Sequence, residues 1–262
     1  MIPLKDQELI REKLAAELLG PVKIDYFTER YVSLTVPGRT PCTYCKPVRE
    51  LLQELAALSD LISLRVHIFE EEAEHRAKFG AERIPGIVLR GPSFDGPVFK
   101  FYGMPGGTEF PAFLEAIVDI SRGELLLPEE MVRELAKVRE DLLVRVFVTP
   151  TCGYCPQMMR LAYQLALANP KIKAEVIEVN EFPDLGDRYQ VRAVPLTVIA
   201  DRVAISGAMP PEKLVEQVVK AAGSQVSGPT QASGPTSAVS VEDAPAPQVR
   251  RGEERPSGLI IP

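Results

Sequence analysis

The chain has no tryptophan, only two histidines, and no cysteine outside two C-x-x-C pairs. With no odd thiol left over and a cytosol-type composition, the cysteines point to redox work or metal binding rather than to a structural disulfide framework. No apolar run approaches the ~20 residues of a membrane span. The opening "MIPLKDQELIREKL" mixes charged and apolar positions where a secretory signal would have a continuous apolar core. A cytoplasmic protein with no membrane partner is therefore expected. There is no basic stripe either: the net charge is −6 with scattered lysines and arginines, which argues against nucleic acid as a partner. Glycine and proline follow no fibrous period, and 45% hydrophobic with 25% charged residues is ordinary for a globular chain. At 262 residues, two ordinary domains fit.

What is present repeats. Cys42 precedes Pro85 by 43 positions, and Cys152 precedes Pro195 by the same 43. Slid by 110 positions, Val48, Leu51, Leu52 and Leu55 fall on Met158, Leu161, Ala162 and Leu165. Both sets are i, i+3, i+4, i+7 faces, so each C-x-x-C opens an amphipathic helix. The same slide lays "LRVHIF" on "AEVIEV", Phe79 on Tyr189, and "GIVLR" near "LTVIA", all β-prone or turn-flanking runs. Glycines 103 and 207 then lead into closing helices. Each unit reads β-α-β-α-β-β-α, preceded by a helix: residues 4–20 for the first, and a stretch opened by Pro128 for the second. The units are set at 1–122 and 123–222. Before Cys42, "VKIDYFTERYVSLTV" holds two β-type runs, and the sequence does not choose between them. Residues 223–262, with a duplicated "SGPT" and few large apolar residues, are expected to be disordered. The closing "SGLIIP" is read as an unselected end rather than a docking peptide.

Three chemistries compete for C-x-x-C. A staple closing four residues contributes only about 1.9 kcal/mol, against about 4.7 for a 100-residue loop. Zinc would be satisfied by four thiolates, but zinc-ribbon pairs lie about 15 to 20 residues apart, and these lie in separate repeats. His67, in a strand run, and His75, in a charged helix, are not at ligand spacing with either pair, and both are read as structural. As a reagent the placement has a physical rationale. Cys42 or Cys152 before a helix N-terminus meets unpaired N–H groups and the positive dipole end, which favour the thiolate. Cys45 or Cys155 can then resolve the mixed disulfide. Two X-Pro bonds, Ile84–Pro85 and Val194–Pro195, at equal spacing suggest cis peptides.

On these residues, and most strongly on "VFVTPTCGYCP", "EFPDLGDRYQVRAVP" and "FYGMPGGTEFPAFLEAIVDISRGE", residues 5–222 resemble the protein disulfide oxidoreductases of thermophilic bacteria and archaea, also called glutaredoxin-like proteins. The resemblance implies an α/β fold of two tandem thioredoxin-like units, each with a mixed central sheet flanked by helices. It implies Cys42 and Cys152 as nucleophiles, Cys45 and Cys155 as resolving thiols, and Pro85 and Pro195 as cis prolines. The backbone of Ile84 and Val194 would pair with an extended substrate peptide. Expected partners are disulfide-containing proteins, a flavoprotein of the thioredoxin-reductase kind and peroxiredoxins, with no cofactor beyond the cysteine pairs. The chain departs from the family at Gly153, where proline is common. It also has Val36 and Val146 six residues before the first cysteines, where thioredoxins keep a buried acid. No Gly-Gly-Asp element for glutathione follows either proline; Gly106 and Gly107 belong to the loop before the last helix of the unit. Lys46 is read as a solvated lysine. The expected function is thiol-disulfide exchange in the reductase direction. The alternatives are a non-catalytic docking module for a redox partner and a protein that binds zinc through its four cysteines.

Overall fold

In the computed structural model, residues 2–31, 41–92, 99–224 and 237–239 are described. The alternation of short β-branched runs with 3.6-period segments gives eight helices and nine strands among these residues. The first unit comprises α1 (Leu4–Glu17), β1 (Val22–Thr28), α2 (Cys45–Ala56), β2 (Ile62–Ile68), α3 (Ala73–Phe79), β3 (Gly86–Arg90), β4 (Phe99–Tyr102) and α4 (Glu109–Arg122). The second comprises α5 (Glu129–Leu135), β5 (Leu142–Val148), α6 (Cys155–Ala168), β6 (Ile172–Glu178), α7 (Pro183–Arg188), β7 (Leu196–Ile199), β8 (Val203–Ser206) and α8 (Pro211–Gly223). Between them, α4 ends at Gly123 in the left-handed region, and Pro128 caps α5.

Both units have one strand order. β1 lies parallel to β2 and antiparallel to β3, which pairs antiparallel with β4; β5, β6, β7 and β8 repeat this. Of the two runs before Cys42, the first, β1, is thus the central strand of its unit. The second run, with Val36, lies almost wholly outside the described residues. The registers Val22↔Ile62 and Leu142↔Ile172 match β1 to β5 at an offset of 120, not 110. Ten extra residues therefore separate the first central strand from its cysteines. The position opposite Val146 is accordingly Tyr26, not Val36.

The sheets join. β4 pairs in parallel with β6, Phe99 opposite Ala174 through Tyr102 opposite Ile177, so that, with β9 (Ser237–Val239), the strands form one sheet in the order β2-β1-β3-β4-β6-β5-β7-β8-β9. Across the seam Lys100 reaches the buried Glu175, which also accepts Arg145. A ninth strand, Ser237–Val239, lies parallel to β8. It falls within the stretch expected to be disordered; an edge strand with open N–H and C=O groups offers a template to extended chain. Of the rest of that tail, Gly223 and Ser224 close α8, and the remainder, with "SGLIIP", lies outside the described residues.

The predicted faces Val48, Leu51, Leu52, Leu55 and Met158, Leu161, Ala162, Leu165 are buried, in one apolar cluster that runs through both units and takes in α4. Two smaller clusters lie apart from it. The second unit's is large, with Phe147, Ile177, Phe182, Leu185 and Tyr189 among its members, while the first unit's comprises Phe27, Phe79, Ala81 and Val88.

Candidate redox sites

Each cysteine motif sits where a central strand turns into a long helix. Cys45 and Cys155 are the first residues of α2 and α6 and are buried, while Cys42 and Cys152, three residues earlier, are partly exposed. The pairs are disulfides, Cys42–Cys45 and Cys152–Cys155, with Cα atoms 5.4 Å apart in both. The four sulfurs are thus paired within each motif. In the second unit the Cys155 N–H donates to Cys152 Sγ at 3.1 Å, a contact that favours negative charge on that sulfur at the positive end of the helix. Beside the pairs, Tyr44 and Tyr154 stand exposed. Lys46, 65% exposed at its side chain, lies 3.7 Å from Glu50, as a solvated surface lysine would.

Ahead of β3 and β7 the peptide bonds Ile84–Pro85 and Val194–Pro195 are cis. Both prolines are buried and both preceding residues are half-buried. The proline carbonyls accept the N–H groups of Gly103 and Gly207, at 3.0 and 2.8 Å, the glycines that lead to the closing helices.

The surroundings of the two pairs differ. In the first unit the Cys42 N–H donates to Glu29, and the Tyr26 hydroxyl, fully buried on β1, donates to the Cys45 carbonyl at 2.6 Å. The second unit's turn is covered by a loop of the first. Gly107 lies so close to Pro150 that a Cβ would stand 2.3 Å from its carbonyl oxygen, and its φ of +51° is one that only glycine adopts readily. Next to it, the Thr108 N–H donates to the Pro150 carbonyl, and its hydroxyl lies 3.0 Å from the carbonyls of both Pro150 and Cys152. Glu109 follows. Its carboxyl is fully buried, with one oxygen lacking a hydrogen-bond partner. Burial, and secondly the charge of Glu178, push its pKa up to about 9. Glu181, which accepts the Met104 N–H at 2.7 Å, is pushed up to about 7, again chiefly by burial. Glu178 is raised by burial as well.

Six residues before Cys152, where an acid would be looked for in sequence, stands Val146. The acids here come from elsewhere: Glu109 from the other unit, and Glu178 and Glu181 from the end of β6. The signal lay in "GGTEF", which reads as a plain loop, but only the β4–β6 seam shows that this loop meets the other unit's cysteines.

Two helix-opening dithiol pairs, each with a cis-proline turn at its own β-hairpin, on a repeated β-α-β-α-β-β-α frame, define a tandem thioredoxin-like oxidoreductase fold. The Thioredoxin domain family matches residues 142–220. The thioredoxin of Methanocaldococcus jannaschii is 35% identical over 78 residues, 29% of this chain and 92% of its own length. The chain belongs to the thioredoxin family. The alkyl hydroperoxide reductase F protein of Xanthomonas campestris pv. phaseoli is 25% identical over 169 residues, which is 64% of this chain but only 30% of that protein. The crystal structure of a protein disulfide oxidoreductase from Aeropyrum pernix K1 superposes with a TM-score of 0.74 at 25% identity, covering 86% of this chain and 95% of that one.

Proposed function

We propose that the chain is a thiol-disulfide oxidoreductase that reduces protein disulfides, working as two thioredoxin-fold domains, residues 1–122 and 123–222. The observation that carries this reading is the paired exposure in both motifs: a reachable first sulfur and a buried second one at the first turn of a helix. In the reduced form the Cys152 thiolate attacks a client disulfide, forming a mixed disulfide and releasing one client thiolate. Cys155 then loses its proton and attacks Cys152 Sγ, which closes the intramolecular disulfide and releases the second client thiolate. Two electrons pass to the client, and no metal or organic cofactor takes part. Cys42 and Cys45 repeat the cycle in the first unit. Backbone groups of Ile84 and Val194 hold an extended client segment beside each pair. The Cys155 proton passes to water, since Glu109, whose pKa burial pushes up to about 9, already holds a proton at neutral pH.

Reoxidised pairs need an electron source. A flavin-dependent reductase fits that need, and the likeness to alkyl hydroperoxide reductase proteins favours a peroxide-reducing enzyme as the recipient. Insulin reduction by the full chain, by Cys42→Ser and by Cys152→Ser tests the assignment. Each variant should lose its own unit's turnover and the double variant all of it; undiminished activity in both single variants and in the double variant would sink the proposal. A Cys155→Ser chain should retain clients as mixed disulfides through Cys152.

A further inference from the structure

The only two histidines of the chain meet at one carboxylate. His67, on β2, is fully buried; Glu72 and His75, at the start of α3, are partly exposed. Glu72 Oε2 lies 2.6 Å from His67 Nδ1 and 3.1 Å from His75 Nδ1. The His67 ring stacks on Phe27, and the two imidazole centroids are 4.8 Å apart. The two histidines, read from sequence as structural, form with Glu72 a group of three donors within 4.8 Å of one another.

The tautomer follows from the other side of the ring. His67 Nε2 lies 2.8 Å from Asp25 Oδ1, and the second oxygen of Asp25 accepts Arg90. A carboxylate only accepts, so Nε2 carries a hydrogen toward Asp25, while between Nδ1 and Glu72 the same rule requires either a proton or a bound cation. Two acceptors 2.6 Å apart need a positive charge between them. A carboxylate behind a histidine, fixing its tautomer and ring plane, is also the usual second support of a metal-bound imidazole. Glu72 is itself oriented, since its Oε1 accepts the Ile68 N–H at 3.2 Å.

The repeat supplies an independent comparison. At the offset of 110, His67, Glu72 and His75 correspond to Ile177, Phe182 and Leu185, three members of the second unit's apolar cluster. An identical frame closes without any polar group there, so the fold does not require the His-Glu-His set.

We propose that His67 Nδ1, Glu72 and His75 Nδ1 bind a divalent transition-metal ion of the zinc, cobalt, nickel and copper class, with Asp25 as the supporting carboxylate. Two imidazoles and one carboxylate suit these ions rather than calcium or magnesium. Bonds near 2.05 Å in a tetrahedron set donors roughly 3.3 Å apart. Glu72 then has to recede by under about one ångström, and the more distant donors, at most 4.8 Å apart, have to close by up to about 1.5 Å, which the partial exposure of Glu72 and His75 permits. Glu72 and His75 are partly exposed, so the ion is exchangeable.

The test uses the oxidised full chain, in which all four cysteines are in disulfides and cannot bind metal. Isothermal titration with zinc should give one site per chain. His75→Ala and Glu72→Gln should each weaken it by at least about tenfold, and Asp25→Asn by about 10- to 100-fold. In the unaltered chain, both sets of imidazole ring-proton NMR signals should move together and saturate at one equivalent. That readout does not depend on any variant folding. No zinc or cobalt binding up to about 1 mM, binding insensitive to His75→Ala, or movement of the His75 signals alone would overturn the proposal. The first of these is the result expected if a proton held at His67 Nδ1 bridges to Glu72 instead.

Discussion

Laid on each other, the two units share four strands and four helices but fill the space under their third helix differently. In the second, Phe147, Ile177, Phe182, Leu185 and Tyr189 close it as a hydrocarbon cluster. In the first, Phe27 and Phe79 remain while His67, Glu72 and His75 take the middle. Charge is exchanged on the central strands too: Asp25, bound by Arg90, stands opposite Arg145, bound by Glu175, Tyr189 and Asp201. The strand frame is insensitive to these exchanges because it rests on ladder bonds and on the shared core. Polar groups are accommodated wherever each finds a partner. The units also differ around their cysteines, with a tyrosine beneath one pair and buried carboxyl groups, Glu109 among them from the other unit, near the other.

The largest difference should appear on cutting the apolar cluster. Phe182→Ala removes a ring from a packed site and should cost about 3–5 kcal/mol in urea unfolding. His67→Ile, which copies the second unit's residue, should cost less, because Asp25 keeps Arg90 and Glu72 can turn to solvent. Equal costs would mean that the polar set is as structural as the hydrocarbon one.

Next comes Glu109. Its carboxyl holds its proton in the fold well above the ordinary carboxylate range, so the folded chain binds more protons than the unfolded one between about pH 4.5 and 9. Its contribution is full below the unfolded pKa and is lost as pH rises toward about 9. Glu109→Gln should therefore match the parent near pH 4 and exceed it by about 1–3 kcal/mol near pH 8.5. Near pH 7, where the parent carboxyl is already protonated, the same variant should leave insulin reduction by either pair unchanged. An unchanged pH profile of stability would remove the buried acid from consideration.

Smaller effects sharpen the contrast at the cysteines. Tyr26→Phe deletes the hydroxyl that holds the Cys45 carbonyl and should cost about 1 kcal/mol. It should shift the reduction potential of the first pair only, since Val146 makes no such bond. Gly153→Ala should stabilise by about 0.4–1 kcal/mol in thermal unfolding. Nothing lies within 4 Å of a Cβ at Gly153 and its φ is not left-handed. Destabilisation would show that the glycine is required for the turn.

Much of this was legible from spacing. The 43-residue interval, the matched helical faces and the glycines at 103 and 207 carried the repeat, because each is a local consequence of strand, helix or turn period. The first central strand was not legible, because two β-type runs compete before Cys42 and only ladder pairing selects Val22–Thr28. His67 and His75 read one by one as a strand and a helix residue. Their meeting depends on the turn between β2 and α3 and on Asp25, 42 residues away in sequence. Glu109 was hidden for the same reason: its neighbours come from the other half of the chain.

The seam between β4 and β6 bears on how the halves could be inherited or engineered. Each of those strands is the outer strand of its own unit, and the ladder from Phe99 opposite Ala174 to Tyr102 opposite Ile177 hides both. Separating the halves would bare two rows of backbone donors and acceptors, together with the Glu175 carboxylate that Lys100 now covers. Such edges recruit other chains. A half-length chain ending after Arg122, or one starting at Pro128, should associate with itself rather than stay dispersed, so the duplicated sequence is best transplanted whole.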